Sequence, residues 1–233
     1  MKILEWDSEF LGIRVASHAV RSMDHETIST LKNEMDKQGI VLCYLESGYL
    51  LRKMDLSSFN ISTHSEIILF TKAKLTFKKE LKHKIAVFQK EEVISERFYK
   101  IVLEAGHKSR FKKDSKFVHN EFERLYRLWI ERSVERIIAD EVLVLKIKGD
   151  VVGMVTFKIS NEILTIGLIG VDPDFRGQNI GASLMFAVEN YAIEHKVSKI
   201  NVSTQGDNYG AINFYNKNQY SIESTKFIYH LWN

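Results

Sequence analysis

Between residues 172 and 184 the chain reads DPDFRGQNIGASL, which places two glycines, an asparagine, an arginine and the only proline of 233 residues together. The apolar run ILTIGLIGV (163–171) precedes this stretch, and the helix-like IGASLMFAVENYAIEHK (180–196) follows it. The pattern predicts a strand, a tight turn and a helix. The first turn of a helix has free backbone N–H groups and a partial positive charge, so it binds anions. Gly177 and Gly181 lack the Cβ that would block a close approach, and Arg176 adds a fixed positive charge. The chemistry these residues suit is the cradling of a phosphate. Two other phosphate loops are excluded: GxxxxGK[ST] is absent, and Gly167 and Gly170 lack the dinucleotide spacing. A second cluster follows in NYGAINFY (208–215). On a helix, Asn208, Ala211 and Tyr215 fall at i, i+3 and i+7, hence on one face.

The elements around these residues restart partway along the chain. DHETISTLKNEMDKQG (24–39) reads as a helix, with Ile28, Leu31 and Met35 on one face and Gly39 past its end. IVLCYLE (40–46) and EIILFTKA (66–73) read as strands, with LSSFNISTHS (56–65) a polar loop between them. A strand at 83–89 and a helix at 91–106 follow. A second helix from Asn120 carries an apolar stripe that includes Trp129, and Asn120 with Glu123 resembles a capping box. EVLVLKIKGDVVGMVTFKIS (141–160) is a hairpin turning at Gly149-Asp150. Strands at 163–171, 199–205 and 221–232 alternate with helices at 180–196 and 208–219. From residue 83 the order is β-α-α-β-β-β-α-β-α-β. Three strands in a row exclude a doubly wound nucleotide-binding sheet and predict a mixed sheet that begins with antiparallel hairpins.

Hydrophobic residues make up 45% and charged residues 27%, the proportions of a soluble globular protein. No apolar run approaches the roughly 18–20 residues of a membrane span. The N-terminus meets acidic residues at once, unlike a signal peptide. Cys43 is alone and sits in an apolar run, so it reads as a buried hydrophobe in a cytoplasmic protein without disulfides. The eight histidines lack zinc-ligand spacing, so no metal is expected. The net charge of +3 is mild, but Thr71–Asp114 holds 13 Lys/Arg against 6 Asp/Glu, a local excess of +7. Aromatic residues are not interleaved there as single-strand binding needs, so nucleic acid is not an expected partner. A small phosphorylated ligand suits the same charge.

Arg176-Gly177-Gln178-Asn179-Ile180-Gly181, preceded by Val171-Asp172-Pro173, resembles the (Q/R)-x-x-G-x-(G/A) loop and V-x-P-x-x-R lead-in of the GNAT N-acetyltransferase superfamily. The order of elements from residue 83 matches that superfamily too. The resemblance implies a mixed α/β (α+β) GNAT fold, a partly antiparallel central sheet flanked by helices. It implies acetyl-CoA as co-substrate, its pyrophosphate held by the N–H groups of the loop. By the same resemblance Ile169, Val171, Arg176, Gly177, Asn179, Gly181 and Ala182 line the coenzyme, with Asn208 and Ala211 along its arm. Asn179 stands where the family has glycine; asparagine tolerates the left-handed conformation well, so the loop is expected to survive. Tyr215 is implied to sit beside the thioester sulfur as general acid, because a departing thiolate must be neutralised. A backbone N–H of strand 163–171 would polarise the acetyl carbonyl. The base is left open between water, His107 and an amine that enters neutral. Cys43 lies outside the motifs, so a covalent acetyl-enzyme is not expected.

LEWDSEFLG (4–12), SRF (109–111), FERLYRLWIERSV (122–134) and residues 203–232 together look like a bacterial subgroup, the nucleotide-sugar N-acetyltransferases of the dTDP-fucosamine type. That resemblance implies an N-terminal α/β unit (1–82) ahead of a GNAT core (83–233). It implies an acceptor that is the amine of a dTDP-linked aminodideoxy sugar, used in surface polysaccharide (lipopolysaccharide) synthesis. A second anion site is then needed. HKSRFKKD (107–114) is the candidate, with Arg110, Lys112 and Lys113 as its cations. Trp6 and Phe10 read as packing residues of the N-terminal unit. Transfer to another small amine or a peptide N-terminus, and a non-catalytic coenzyme A-binding module, are the alternatives. The position of the amine, the nucleotide and the oligomeric state are left open; a homodimer is compatible with the sequence.

Overall fold

A computed structural model describes residues 1–51, 59–73, 75 and 78–233. The chain opens with β1 (Lys2–Ile3), α1 (Glu5–Leu11), β2 (Val15–Ala19), α2 (His25–Gln38), β3 (Leu42–Ser47) and β4 (Ile61–Ala73). It continues with β5 (Ala86–Val87), α3 (Glu96–Ala105), α4 (Arg110–Lys113), α5 (Glu121–Val134), β6 (Glu141–Ile147) and β7 (Asp150–Ser160). The last third holds β8 (Ile163–Val171), α6 (Ile180–Glu194), β9 (Lys199–Gln205), α7 (Tyr209–Lys217) and β10 (Ser221–Trp232). From β5 onward this is the expected order with the one-turn α4 added.

The strands form one mixed sheet in the order β1-β2-β3-β10-β4-β9-β8-β7-β6-β5. β2–β3 and β8–β9 are parallel, and the other pairs are antiparallel. The sheet runs unbroken across the expected boundary between residues 82 and 83. β4, from the N-terminal third, lies between β9 and β10: Ile67–Ala73 pair with Lys199–Gln205, and Ile61–Thr71 with Ser221–Leu231.

Strand alternation sorts the core onto two faces. Leu42, Tyr44, Val142, Val144, Ile228 and Trp232 join α3, α4 and α5 on one face. Their neighbours Leu143 and Leu145 pack under α6 and α7. Cys43, Leu45, Tyr229 and Leu231 pack under Ile28, Leu31 and Met35 of α2. Cys43 is fully buried, and burial pushes its thiol up to about 12. Trp129 packs partly buried on the first cluster, and Trp6 stacks on Phe10 at 5.3 Å.

Helix signals act where the side chains can reach the backbone. Asp24 accepts from the Thr27 N–H (2.8 Å) to start α2, which ends on Gly39 at φ 62°. Ser95 accepts from the Phe98 N–H (3.2 Å), so α3 begins at Glu96 rather than near 91. The capping box expected at Asn120 does not form. Asn120 takes φ 58° with no side-chain cap, and Glu121 instead accepts from the His119 N–H at 2.8 Å. The hairpin turns one residue earlier than expected, on Lys148 and Gly149 at φ 52° and 91°, with Ile147 opposite Asp150. Residues 61–65, expected in a loop, extend β4, because β10 pairs with Ile61 and with Thr63–Ser65 across a bulge at Ser62; 56–58 lie outside the described residues. Only 86–87 of the strand expected at 83–89 pair.

Two buried polar groups tie distant segments together. Lys72 on β4 donates to Glu189 on α6 (2.9 Å) and to the Asn218 carbonyl (2.8 Å), and Lys79 holds the other Glu189 oxygen at 2.7 Å. On the opposite face Asp114 accepts from His230 Nδ1 (2.6 Å) and Trp232 Nε1 (3.1 Å).

Candidate active site

β8 and β9 pair only from Ile163–Ile166 to Lys199–Val202. Beyond that point each keeps its other neighbour and leaves its partner. Leu168–Val171 stay on β7, and Ser203–Gln205 stay on β4. The break coincides with a bulge. Thr156 faces Leu168 and Phe157 faces Ile166, so Gly167 is the extra residue. The Leu168 N–H donates to Thr156 Oγ1 at 3.0 Å, and a Cβ on Gly167 would stand 3.0 Å from the same oxygen. The Asp172 N–H also points to β7, donating to the Val152 carbonyl at 2.9 Å. Ladder alternation therefore turns the N–H groups of Ile169 and Val171 into the gap between the parted strands.

The junction at 172–182 closes one end of that gap. Asp172 accepts from the Asp174 N–H (3.0 Å) and from Arg97 Nε (2.8 Å), and Pro173 begins the 3-10 turn Pro173–Phe175. Gly177 stands at φ 79° and Asn179 at φ 60°, ψ 14°, the left-handed conformation anticipated for Asn179. Asn179 places no side-chain cap on α6, whose first closing bond is from the Ser183 N–H to the Asn179 carbonyl (3.0 Å). The N–H groups of Ile180, Gly181 and Ala182 thus have no partner within the helix. His83 Nε2 donates to the Gln178 carbonyl (2.8 Å) and steadies the loop from the β4–β5 connection.

These parts border a cleft of about 960 Å³. Ile169 and Val171 line it from β8; Arg176, Gly177, Asn179, Gly181 and Ala182 line it from the junction; Asn208, Ala211 and Tyr215 line it from α7. Asn208 is the N-cap of α7 and accepts from the Ala211 N–H (3.3 Å), which gives the asparagine a role in starting the helix. Tyr215 is 3% exposed, its ring 5.3 Å from that of Phe70. Burial alone holds its phenol well above the ordinary value, so it keeps its proton until a strong base forms beside it.

The sequence assigns no site role to four further lining residues: Glu104, Lys108, Asp207 and Phe214. Glu104 accepts from Arg176 Nη2 (3.0 Å) across the cleft, so Arg176 shares its charge with α3. Asp207 faces Lys113 Nζ at 2.9 Å and Lys108 Nζ at 3.9 Å. Phe214 faces Gly181, where a Cβ would come within 3.1 Å of its ring. Phe214 and Lys108 stand in segments the sequence singles out, 208–215 and 107–114, whereas Glu104 and Asp207 carry no such signal.

The three cations expected to form a second anion site do not converge. α4 turns Lys112 away from the other two, and Arg110 and Lys113, which share a face at i and i+3, reach different partners. Lys113 reaches Asp207, and Lys112 lies over Phe122 at 5.1 Å beside a second cavity of about 810 Å³. Arg110 lies over the rings of Tyr44 (4.9 Å) and Phe111 (4.7 Å). Its buried Nε has no hydrogen-bond partner among the described residues. Among those residues, no group of three or more His, Cys, Asp or Glu could hold a metal ion, and no helix is long and apolar enough to cross a membrane.

A mixed sheet with two parted strands, an uncapped helix N-terminus at their mouth and helices on both faces is the GNAT fold. The same fold is seen in a GCN5-related N-acetyltransferase from Sphaerobacter thermophilus (TM-score 0.53, 13% identity, over 88% of this chain and 68% of that one). A conserved protein of unknown function from Staphylococcus epidermidis is also similar (TM-score 0.58, 14% identity, 92% and 84%). Residues 109–220 match the model of the acetyltransferase (GNAT) family. An acetyltransferase of Sodalis glossinidius is 29% identical over 123 residues, 47% of this chain and 87% of that protein. One from Pectobacterium atrosepticum is 29% identical over 118 residues, 45% and 84%. The chain has the GNAT fold, is similar to acetyltransferases of that family over this region, and is an acetyl-CoA-dependent N-acetyltransferase.

Proposed function

We propose that the chain transfers the acetyl group of acetyl-CoA to the amine of a dTDP-linked aminodideoxy sugar, in the synthesis of a bacterial surface polysaccharide. The observation that carries the donor half is the uncapped N-terminus of α6 facing the gap between β8 and β9. The free N–H groups of residues 180–182 suit a pyrophosphate, Gly177 and Gly181 leave it room, and Arg176 stands beside it while paired with Glu104. The N–H groups of Ile169 and Val171 suit the coenzyme's arm and its acetyl carbonyl. Tyr215 gives its proton to the sulfur as the carbon–sulfur bond breaks.

Two observations support the acceptor half. Residues 4–12, 109–111, 122–134 and 203–232 resemble the nucleotide-sugar subgroup, and the segment from Thr71 to Asp114 is basic. With Lys113 engaged by Asp207, Arg110, whose buried Nε has no hydrogen-bond partner among the described residues, is the cation of the 107–114 turn that this reading assigns to the acceptor's phosphates. Thiol release from acetyl-CoA with a panel of dTDP-, UDP- and GDP-amino sugars and free peptide amines tests the reading. Turnover is expected with a dTDP-amino sugar, and turnover with peptides alone would refute it. Arg110→Ala is expected to raise the acceptor KM and leave that of acetyl-CoA unchanged. An unchanged acceptor KM in a folded variant removes Arg110 from the site.

A further inference from the structure

An amine at neutral pH carries a proton that must leave before its lone pair can attack. Tyr215 supplies the acid of the transfer, but nothing so far accepts that proton. Given the transfer reading above, we infer that His107, through Nε2, is the base.

The other ionisable groups that line the cleft are engaged or unsuited. Glu104 is held by Arg176 (3.0 Å). Asp207 loses some of its acidity to burial, but Lys113 and Lys108 more than offset this and hold its carboxyl below the ordinary value. A carboxylate so stabilised is a weak proton acceptor. Lys108, Arg176 and Lys217 are cations, and Tyr209 and Tyr215 are phenols. His107 is what is left, and its geometry suits the task. Its Nδ1 lies 2.7 Å from the Glu104 carbonyl. A carbonyl only accepts, so Nδ1 carries the ring proton and Nε2 is left with a lone pair.

His107 is also in the right place. It lies on the turn after α3, on a wall common to the coenzyme cleft and the second cavity. α3 is fixed against β8 at Gly170, where a Cβ would meet Ile101 at 2.9 Å and Ala105 at 3.3 Å. The turn is thereby held over the strand whose N–H groups face the gap. The charges that border the same two cavities are Lys108 on its own turn, Arg97, Lys100 and Glu104 on α3, Lys112 on α4, Glu123 on α5, Asp172, Asp174 and Arg176 at the junction, Asp207 after β9 and Lys217 on α7.

The protons then balance. One N–H bond of the ammonium breaks as Nε2 takes the proton. The freed lone pair forms the nitrogen–carbon bond at the acetyl carbonyl. The carbon–sulfur bond breaks, and the sulfur keeps its electron pair and takes the Tyr215 proton. The nitrogen's second proton restores Tyr215 through solvent, and the exposed imidazolium returns its own to water. The sum is one amide, one thiol and one released proton.

The test joins kinetics to NMR. In His107→Ala, kcat should fall about 10²-fold. The acetyl-CoA Kd by calorimetry should hold, the acid side of the kcat profile should lose one proton, and added imidazole should restore turnover to the variant alone. Wild-type kcat with the wild-type profile would overturn the inference. ¹⁵N spectra of the neutral His107 ring should show a protonated Nδ1 and a bare Nε2. The opposite tautomer overturns the inference without any acceptor in hand. Absence of thiol release by the wild-type protein with every amine tried would overturn the transfer reading itself, and the base with it.

Discussion

Replacing Tyr215 by phenylalanine deletes one oxygen and leaves the ring. The contacts of that ring, with Phe70 at 5.3 Å, Phe214 at 5.6 Å and Tyr220 at 6.3 Å, involve carbon faces and edges and survive the change. Stability should therefore hold, and any lost activity belongs to the hydroxyl. A general acid contributes about 10²–10⁴ to rate. Burial holds the Tyr215 phenol above its ordinary value of about 10, whereas an alkyl thiol loses its proton near about 8.5. In water that transfer would run at least about 2 kcal/mol uphill. The same dry surroundings raise the basicity of the departing thiolate and narrow the gap. The lower end of the range follows: kcat of Tyr215→Phe should drop about 10²-fold, or about 2.7 kcal/mol on the barrier. The acetyl-CoA KM should move little, because the proton is shared only as the bond to sulfur breaks. Thiol release followed at saturating acceptor, with kcat and KM separated, measures both. Wild-type kcat in a variant with the wild-type Tm would make Tyr215 a packing residue and refute the reasoning.

Gly181→Val should raise the acetyl-CoA Kd sharply, since its Cβ would press on Phe214 (3.1 Å) and its methyls would enter the cleft; calorimetry that finds an unchanged Kd in a folded variant would detach the junction from the coenzyme. A fragment of residues 83–233 should lack cooperative unfolding by circular dichroism, because without β4 neither β9 nor β10 has its shared neighbour; a two-state melt of that fragment would refute the dependence. The protein should lose stability in acid. Burial holds His230 below its ordinary value of about 6.5 despite the Asp114 carboxylate, so the unfolded chain takes up a proton that the native site refuses. Asp114 adds to the loss at lower pH: burial opposes its charge, but bonds from His230 and Ser62 outweigh it and depress its carboxyl below the ordinary value. Tm measured by calorimetry should be level above about pH 7 and decline below about 6.5, and a flat Tm down to pH 5 would remove His230 from the account.

The sequence carries local geometry well where one residue type answers one backbone demand. Residues 163–171 and 221–232 form the strands their apolar patterning indicates, and Gly177 and Asn179 stand where the turn needs positive φ. Asn120 shows the limit of such signals. It has the type for a cap, but its own left-handed backbone turns the side chain away from the helix. α1 is seven residues long with no buried residue of its own, so Trp6 and Phe10 at i and i+4 are a short signal for it in the sequence. The basic turn at 107–114 reads as one patch along the chain, but in the fold Arg110, Lys112 and Lys113 reach three different partners.

What sequence could least supply is the neighbour of each strand, and the cleft depends on it. β9 can leave β8 after Val202 and still run on as a strand because β4 pairs along its other edge, while its groups on the β8 side turn into the gap. Ile67, Ile68 and Leu69 take up Gln205, Thr204 and Ser203 at the level where β8 and β9 part. The Glu66 carbonyl then accepts from the Gly206 N–H at 3.0 Å and carries the pairing to the start of the Asp207–Asn208 wall. A strand from the first third of the chain thus supports the edge of the gap that the junction at 172–182 closes at one end. β10 pairs with β4 on its far side and with β3 beyond, which anchors β4 in turn. The N-terminal third is therefore part of the site's framework as much as an addition beside it.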